Sequence, residues 1–419
     1  MLTGSNLLHT KQYNLRIVHE VIRLFGPLSR ADIARRTNLT GQTVSNLAKE
    51  LLELGLVQEA ERRQEGRGAP STNLAINPNG AYAIGLDFNR DHLTGVLVDL
   101  AGAVRRRADV ELDLPTPEEA LELMVGMVER LIAEQGMPRA AVCGVGIGIP
   151  GPMYHASDGK GYLVNPKSFP GWHKIPLADW LQERLGMPVV LENNATAAAA
   201  GERWYGAGQQ IGTFFYFFFG TGLGGGLVMN GRTYEGFSGN AGEVGYLPTA
   251  LAGDAGDAGA AGAEDSYVGL RFNLPRLYEA LGRDGIVART PADLDALVAG
   301  GHPTLLAWMD AAVDHLVGLV LAVEYLLDPE AIFFGGRFPD RMLKELLDRV
   351  EAKLPARRIT ERVPPPRLLL ATAGADAAAL GVATLPIYQY FAPAPQVLLK
   401  QGARGPAADL GALLGAASA

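Results

Sequence analysis

Residues 213–219 read Thr-Phe-Phe-Tyr-Phe-Phe-Phe, with six aromatic side chains in seven positions. An aromatic run this dense favours a β-strand that is buried on both faces, and such a strand needs a packed layer on each side of its sheet. Residues 220–226 follow at once and read Gly-Thr-Gly-Leu-Gly-Gly-Gly. The chain must therefore build a sheet with one fully buried strand that ends in a glycine loop.

A glycine loop at the end of a strand lets backbone amides approach phosphate oxygens without side-chain clashes. The positions assigned to this loop, which we interpret as a vestigial phosphate loop, are Gly220, Thr221, Gly222, Gly224 and Gly225. Glycines also serve tight turns, so the loop by itself leaves a purely structural role open.

Strands and helices alternate through most of the chain, which indicates an α/β fold. Strands are predicted over 82–88, 93–100, 141–149 and 331–334, with another ending at 189–191. Helices are predicted over 117–135, 195–204, 304–327 and 340–353. Thr116 is placed to cap the first of these helices, and Pro117 suits its first helical position. Residues 251–263 are of low complexity, and 393–419 form a loose tail.

Composition excludes several classes of protein. The single cysteine, Cys143, rules out an internal disulfide and a cluster of thiolate ligands. The N-terminus lacks a basic start followed by an apolar block, and no uninterrupted apolar run is long enough to span a bilayer. We therefore expect a cytoplasmic protein without a membrane partner. Residues 1–79 carry a net charge of +3 and the rest −11, which is typical of a DNA-binding head on an acidic body.

The first 79 residues predict three short helices and a hairpin. Leu15, Val18 and Ile22 have helical spacing over 12–25, and Gly26-Pro27 ends that helix. Ser29 and Thr40 are placed to cap the next two helices. Strands over 56–59 and 72–76 flank a polar tip, and 77–80 forms a linker. This order is that of a winged helix-turn-helix.

The third helix leaves small polar side chains exposed, as a helix that reads the major groove does. An arginine between two glycines in the wing suits a phosphate or a narrow minor groove. The predicted DNA contacts are Thr40, Gln42, Thr43, Asn46 and Arg67. A helical docking domain that binds no DNA is the alternative.

Six ordered motifs resemble those of the ROK family, which contains repressors and sugar kinases of the actin–hexokinase fold. Besides the glycine loop, they are 148–152 (Gly-Ile-Pro-Gly-Pro), 170–172 (Pro-Gly-Trp), 192–199 (Glu-Asn-Asn-Ala-Thr-Ala-Ala-Ala), 239–246 (Gly-Asn-Ala-Gly-Glu-Val-Gly-Tyr) and 328–336 (Asp-Pro-Glu-Ala-Ile-Phe-Phe-Gly-Gly). The resemblance covers nearly the whole chain, and it implies two lobes around a cleft.

The chain departs from the family kinases where phosphoryl transfer needs specific groups. Asn194 stands where the kinases carry the Asp that takes the proton from the sugar hydroxyl, and an amide lacks that basicity. Asp87-Phe88-Asn89-Arg90-Asp91 replaces the first phosphate loop. Tyr246 replaces a zinc-binding His, and the family's three cysteines are missing, so we expect no metal and no cofactor. The family's sugar-contacting Glu falls near Asp265.

The resemblance implies that the sugar-binding positions are retained. They are Asn193, Asn194, Glu243, Tyr246 and Asp265. Amides and carboxylates in a cleft suit vicinal hydroxyls, since each donates or accepts in a fixed geometry. The alternative for Asn193 and Asn194 is that they only cap the helix that follows them. His155 and His173 are interpreted as surface or structural residues.

These observations predict a transcriptional regulator, a repressor, that responds to a sugar or sugar derivative. The predicted divisions are a winged helix-turn-helix over 1–78, a first lobe over 79–192 to which a helix at 376–392 packs back, a second lobe over 193–375 and the tail. Recognition of symmetric half-sites implies at least a homodimer on operator DNA. The alternatives are a sugar kinase with an added DNA-binding domain and a scaffold whose cleft binds a protein.

Overall fold

The computed structural model describes residues 7–60, 72–156, 161–166, 169–249, 267–359 and 364–393. Arg67, Asp265, the low-complexity segment 251–263 and residues 394–419 lie outside these ranges.

The N-terminal part, called the head, contains three helices and a small antiparallel sheet with the strand order β1-β3-β2. Its elements are α1 (Leu7–Phe25), β1 (Leu28–Ser29), α2 (Arg30–Thr37), α3 (Gly41–Glu53), β2 (Val57–Ala60) and β3 (Asn73–Ile76). Both predicted caps are confirmed. The Ser29 side chain accepts from the backbone N–H of Asp32, and that of Thr40 accepts from the N–H of Thr43. The winged helix-turn-helix is therefore present, with β1 as a third strand that the sequence analysis did not predict.

The body begins with a five-stranded mixed sheet in the order β10-β7-β4-β5-β6. Its strands are β4 (Tyr82–Phe88), β5 (His92–Asp99), β6 (Val104–Glu111), β7 (Val142–Ile149) and β10 (Val189–Asn193), and its outer helices are α4 (Pro117–Gln135) and α5 (Leu177–Leu185). A separate ribbon pairs β8 (Met153–His155) with β9 (Tyr162–Val164). The bounds predicted for α4 are confirmed, with Thr116 as the cap.

A second five-stranded sheet has the order β13-β12-β11-β14-β15. Its strands are β11 (Phe214–Phe219), β12 (Leu223–Met229), β13 (Arg232–Thr233), β14 (Ala331–Gly336) and β15 (Arg367–Leu370), and its helices are α7 (Leu274–Arg283), α8 (Pro291–Ala299), α9 (Pro303–Leu327) and α10 (Asp340–Arg357). Every residue of β11 is buried, as the aromatic run predicts. The fold is thus the two-sheet α/β arrangement that the resemblance implied.

Two helices rich in small residues join the sheets. They are α6 (Asn194–Tyr205) and α11 (Ala377–Phe391). α6 packs on β11 and β12, α11 packs on β4 and β7, and the two helices pack on each other. A Cβ at Gly381 would overlap the Ala197 carbonyl, so the approach depends on glycine. The C-terminal helix therefore belongs to the centre of the molecule.

The predicted linker at 77–80 is not a free connection. Pro78–Gly80 forms a 3-10 turn, and the Asn77 amide donates to the Gly55 carbonyl over 2.7 Å. Apolar residues of α1 share one buried cluster with Tyr390 and Phe391 of α11. The segment that joins the head to the body is therefore itself packed, and apolar residues of both parts share this buried cluster.

Among the described helices, α9 is long and apolar enough to cross a membrane by length and composition. Half of its most apolar stretch is buried inside the protein, and it packs against α7, α8 and α10. A core helix of a globular protein passes the same test.

A matched pair of glycine substitutions tests the helix contact. Gly381→Ala places a methyl group against the α6 backbone, and we expect it to lower the free energy of unfolding by about 3 kcal/mol. Gly126→Ala, on the exposed face of α4 with open space around it, should raise that free energy by about 0.5–1 kcal/mol. Urea denaturation measures both changes. Equal effects of the two substitutions would contradict the close contact between α6 and α11.

Candidate functional site

The start of α3 is fixed by two threonines. The Thr40 hydroxyl accepts the Thr43 backbone N–H over 3.2 Å and lies 2.8 Å from the Thr43 hydroxyl. This pair satisfies one of the free N–H groups at the helix end and leaves the first turn exposed. Both side chains are thus already engaged within the protein, although their hydroxyls keep acceptor capacity.

Gln42 and Asn46 form the exposed polar face of α3. They lie one turn apart, and the Gln42 amide donates to the Asn46 side-chain oxygen over 3.2 Å. Glutamine and asparagine can each make two hydrogen bonds to adenine in the major groove. Their mutual hydrogen bond holds both amides in one orientation before any partner binds.

Three exposed basic side chains of α2 and α3 were not predicted as DNA contacts. Arg35 pairs with Asp32, Arg36 stacks over the Phe25 ring with its guanidinium carbon 4.4 Å from the centroid, and Lys49 lies 3.6 Å from Glu53. They supply positive charge that attracts phosphates. Arg67, the predicted wing contact, lies outside the described residues.

A second site lies between the two sheets, in a cavity of about 130 Å³ that we call the cleft. Asn193 and Asn194, where β10 meets α6, line one side, and Glu243 and Tyr246 line the other. The Asn193 amide donates to Glu243 Oε1 over 3.0 Å across the cleft. Four of the five predicted sugar-binding residues therefore meet here. The fifth, Asp265, is outside the described residues.

Asn193 and Asn194 have different surroundings. Asn193 Oδ1 accepts the backbone N–H groups of Ala195 and Thr196 at 2.8 and 3.4 Å, so this residue does cap α6. Asn194 lines the cleft, and no hydrogen bond joins its side chain to the described part of the protein. Asn193 therefore caps α6 and also lines the cleft and donates to Glu243, so capping is not its only role, whereas the Asn194 amide is available to a ligand.

Glu243 is held in a protected position. Burial raises the pKa of Glu243 to about 7, although the Asn193 hydrogen bond acts in the opposite direction. A Cβ at Gly151 would overlap the Glu243 carboxylate, so this glycine of the Gly-Ile-Pro-Gly-Pro segment makes room for it. Near neutral pH this carboxyl group can exchange between a donor form and an acceptor form.

Tyr246 closes the cleft with its aromatic ring. Its hydroxyl donates to the Gly151 carbonyl over 3.5 Å, and its ring centroid lies 5.7 Å from that of Tyr267. Burial raises the pKa of Tyr246, so the phenol stays protonated. It can offer a neutral hydroxyl to a ligand.

The glycine loop is shorter than predicted. Gly220, Thr221 and Gly222 form the turn between β11 and β12, but Gly224 and Gly225 lie inside β12 opposite Phe218 and Phe217. A Cβ at Gly225 would overlap the Phe215 ring, so this glycine serves sheet packing and does not line the cleft. Gly224 does line the cleft, from within the strand. Gly225 therefore lies in the strand and outside the loop in which it was predicted, because the strand begins earlier than the glycine pattern indicated.

A buried ion-pair group fills the position of the first phosphate loop. His92 Nδ1 lies 2.6 Å from Asp91 Oδ1, and His92 Nε2 lies 3.3 Å from Asp87 Oδ2. Burial lowers the pKa of His92, but the hydrogen bonds to Asp87 and Asp91 outweigh it and raise the pKa. Both ring nitrogens of His92 and Oδ2 of Asp87 are thus engaged within the protein, whereas Oδ1 of Asp87 has no hydrogen-bond partner among the described residues.

Three polar residues of this part of the protein were not predicted as site residues. Asn89 and Arg90 line the cleft, and the Thr221 hydroxyl donates to Asn89 Oδ1 over 3.4 Å, which joins the two sheets' loops. Asn240 bonds both the N–H and the carbonyl of Met153, each over 2.7 Å. Asn240 stands inside the matched motif 239–246, so that motif was the available signal.

His155 and His173 are not close to the cleft's polar groups. The His155 ring stacks on Tyr162 with centroids 4.8 Å apart and lies 3.0 Å from the Phe237 carbonyl oxygen. Across the described ranges, no group of three or more His, Cys, Asp or Glu side chains is placed to hold a metal ion.

Comparison with known proteins places this geometry in a family. Residues 83–388 match the ROK family. The chain belongs to the ROK family. Residues 12–68, which contain the helices of the head, match the MarR family.

Relatives within the ROK family include named repressors. The xylose repressor of Bacillus spizizenii is 30% identical over 237 residues, which cover 57% of this chain and 60% of that repressor. The N-acetylglucosamine repressor of Escherichia coli O6:H1 is 23% identical over 349 residues, covering 82% of this chain and 84% of the relative. A solved ROK family transcriptional regulator, described as a homologue of the E. coli MLC protein, superposes with a TM-score of 0.71 at 20% identity, over 91% of this chain and 97% of that one. The fold is therefore shared along the chain, head included.

The pKa of Glu243 predicts a pH-dependent cleft. The carboxyl group is largely protonated at pH 6 and largely ionised at pH 8, and only the ionised form accepts hydrogen bonds from two ligand hydroxyls. We expect the affinity for a monosaccharide in the cleft to rise about tenfold from pH 6 to pH 8. Isothermal titration calorimetry at several pH values measures this.

The matched control for that titration is Glu243→Gln. Burial also raises the pKa of Glu192, to about 8. The Glu243→Gln variant retains Glu192, so any pH dependence that comes from Glu192 is the same in both proteins. The difference between the two proteins therefore isolates Glu243. An equal pH dependence in both proteins would refute its role.

Proposed function

We propose that this protein is a sugar-responsive transcriptional repressor of the cytoplasm that reads DNA with α3 and binds its effector in the cleft. The observation that carries the proposal is the combination, in one chain, of an exposed polar recognition helix and a cleft with an unengaged amide at Asn194. The names of its relatives support the same combination, because these relatives are repressors named after sugars.

The cleft favours one sugar ring as the effector. Its volume of about 130 Å³ is close to the roughly 150 Å³ of an engineered cavity that holds benzene, which also has a six-membered ring. Glu243, Asn194 and Tyr246 present a carboxylate, an amide and a phenol toward that space. The names of the two relatives refer to a pentose and to an N-acetylhexosamine. The effector class is therefore a monosaccharide or its simple derivative.

The same geometry argues against phosphoryl transfer. The residue that would take the proton from a sugar hydroxyl is Asn194, whose amide is not a base. Where a family kinase has a glycine-rich first loop, Asn89 and Arg90 place side chains in the cleft, and Asp87 is paired with His92. These groups occupy the space in which the phosphates of a nucleotide would be held.

Coupling between the two sites follows from how the head is attached. α1 packs against α11, and α11 packs on the sheet whose strand β10 ends at Asn193. A change in the cleft can therefore reach the head through packed elements. Palindromic half-sites require two heads, so the working form is at least a homodimer.

Two reciprocal substitutions test the division of labour. Gln42→Ala removes a base-reading amide, and we expect it to relax base preference at one position by about 1–3 kcal/mol while the sugar response is unchanged. Glu243→Ala removes charge-assisted hydrogen bonds, so about tenfold more sugar should be needed, with normal operator affinity. Fluorescence anisotropy on an operator selected from randomised duplexes measures both.

Each variant is the control for the other. The sugar for these titrations is the one that gives the largest thermal shift among pentoses, hexoses and N-acetylhexosamines. If Glu243→Ala lost operator binding and kept its sugar response, the proposed assignment of the sites would be refuted. Binding that is equal on all duplexes would refute the recognition role of α3.

We also expect no kinase activity. Purified protein incubated with ATP and the same sugar panel should form no sugar phosphate above a protein-free blank. Asn194→Asp should not create an efficient kinase, because it restores a base and leaves Asn89 and Arg90 in the cleft. Coupled ADP release and direct detection of the sugar phosphate measure the outcome, and turnover that Glu243→Ala abolishes would overturn the expectation.

A further inference from the structure

A second cavity, larger than the cleft, lies where the head meets the body. Its volume is about 330 Å³. Its walls come from α1, from residues 100–103 between β5 and β6, from the end of α6 and from α11. We call it the junction cavity. None of the polar residues assigned to sugar binding lines this cavity.

Aromatic side chains dominate the walls of the junction cavity. They are Trp204, Tyr205, Tyr388 and Phe391. The Trp204 ring lies 6.4 Å from that of Tyr388, in an edge-to-face arrangement. Walls of this kind favour a flat ring, which can stack on one aromatic face and meet the edge of another.

One polar group in the wall has no hydrogen-bond partner among the described residues. His19 is 2% exposed, and neither of its ring nitrogens is hydrogen-bonded within the part of the chain that the structure describes. Its ring stacks on Phe391 with centroids 5.2 Å apart. A buried polar group without a partner is costly, so a ligand that bonds to it gains what the free protein lacks.

The charge state of the cavity selects a neutral ligand. Burial lowers the pKa of His19 to about 3, and the Arg23 charge acts in the same direction, so the imidazole is neutral with one donor and one acceptor. Arg23 and Glu20, the charged residues of the wall, bind each other through two hydrogen bonds of 2.7 Å. Their charges cancel, and an ionic ligand would find no free counter-charge there.

The size of the cavity sets the size of the ring system. A volume of about 330 Å³ is about twice that of an engineered cavity that binds benzene. We propose that the junction cavity is a second ligand site, which binds a flat, neutral, two-ring aromatic molecule with one hydroxyl or N–H group that bonds to His19. Such a ligand contacts α1 of the head and α11 of the body at once, so it fixes their relative position.

A pair of probes tests this site on the full-length protein. 2-Naphthol carries the proposed ring system and one hydroxyl, whereas naphthalene has the rings alone. We expect wild-type protein to bind 2-naphthol at one molecule per chain in equilibrium dialysis, about five- to tenfold more tightly than naphthalene. If neither probe bound saturably, the proposal would be overturned, and the cavity would be assigned to solvent.

Two substitutions locate the binding. His19→Phe keeps a ring against Phe391 and removes both nitrogens, so 2-naphthol should bind five- to tenfold more weakly while naphthalene changes less than twofold. Ala103→Trp, at an exposed alanine of the wall, should fill the cavity and abolish binding of both probes. Leu326→Ala, at a leucine of α9 that is 81% exposed, is the control and should change neither affinity.

The outcomes separate this site from the sugar cleft. His19→Phe and Ala103→Trp should each unfold in one cooperative thermal transition without any ligand, which shows that both variants are folded. Their sugar-induced thermal shifts should equal that of wild type. If Ala103→Trp still bound 2-naphthol as wild type does, the probe would lie elsewhere and the proposal would be wrong. If His19→Phe still bound 2-naphthol five- to tenfold more tightly than naphthalene, as wild type is expected to do, the assigned role of His19 would be wrong. Neither result depends on whether the cleft binds a sugar.

Discussion

The close contact between α6 and α11 determines how the rest of the molecule is arranged. Glycines at 201 and 381 allow it, because a Cβ at either position would overlap the backbone of the facing helix. Gly85 of β4 and Gly146 of β7 let α11 approach the first sheet in the same way. Interiors packed this tightly have little freedom to adapt, so displacement of one helix must move its neighbours as a unit.

That contact also positions the cleft. α6 begins at Asn194 directly after β10, so the helix that joins the sheets carries one wall of the cleft at its first turn. Asn193 caps this helix with its oxygen and donates to Glu243 with its nitrogen. A single amide thereby ties the helix end to the opposite wall. Any ligand that competes for Glu243 acts directly on an element that also packs against α11.

Local features of the fold were predictable, because they depend on neighbouring residues. The caps at Ser29, Thr40 and Thr116 and the buried strand Phe214–Phe219 follow from short-range chemistry. The family motifs then indicated the two sheets and brought Asn193, Asn194, Glu243 and Tyr246 together.

Contacts between distant parts of the chain were not predictable from the same patterns. His19 meets Phe391, and Asn89 meets Thr221, although hydrophobic periodicity says nothing about which faces pack together. The position of Gly225 was predicted wrongly because a glycine inside a strand and a glycine in a loop look alike in sequence. Only the contact of Gly225 with the Phe215 ring shows that it belongs to the strand.

The position of α11 in the chain has a consequence for how the protein is made. This helix covers β4 and β7 and contacts α1, yet it is the last of the described elements to leave the ribosome. Until it is synthesised, the apolar inner faces of β4 and β7 have no cover, and the head has no surface of α11 to rest on. Nascent chains of this protein therefore expose these apolar strand faces from the synthesis of β7 until that of α11, the stage at which chaperones act on incomplete domains.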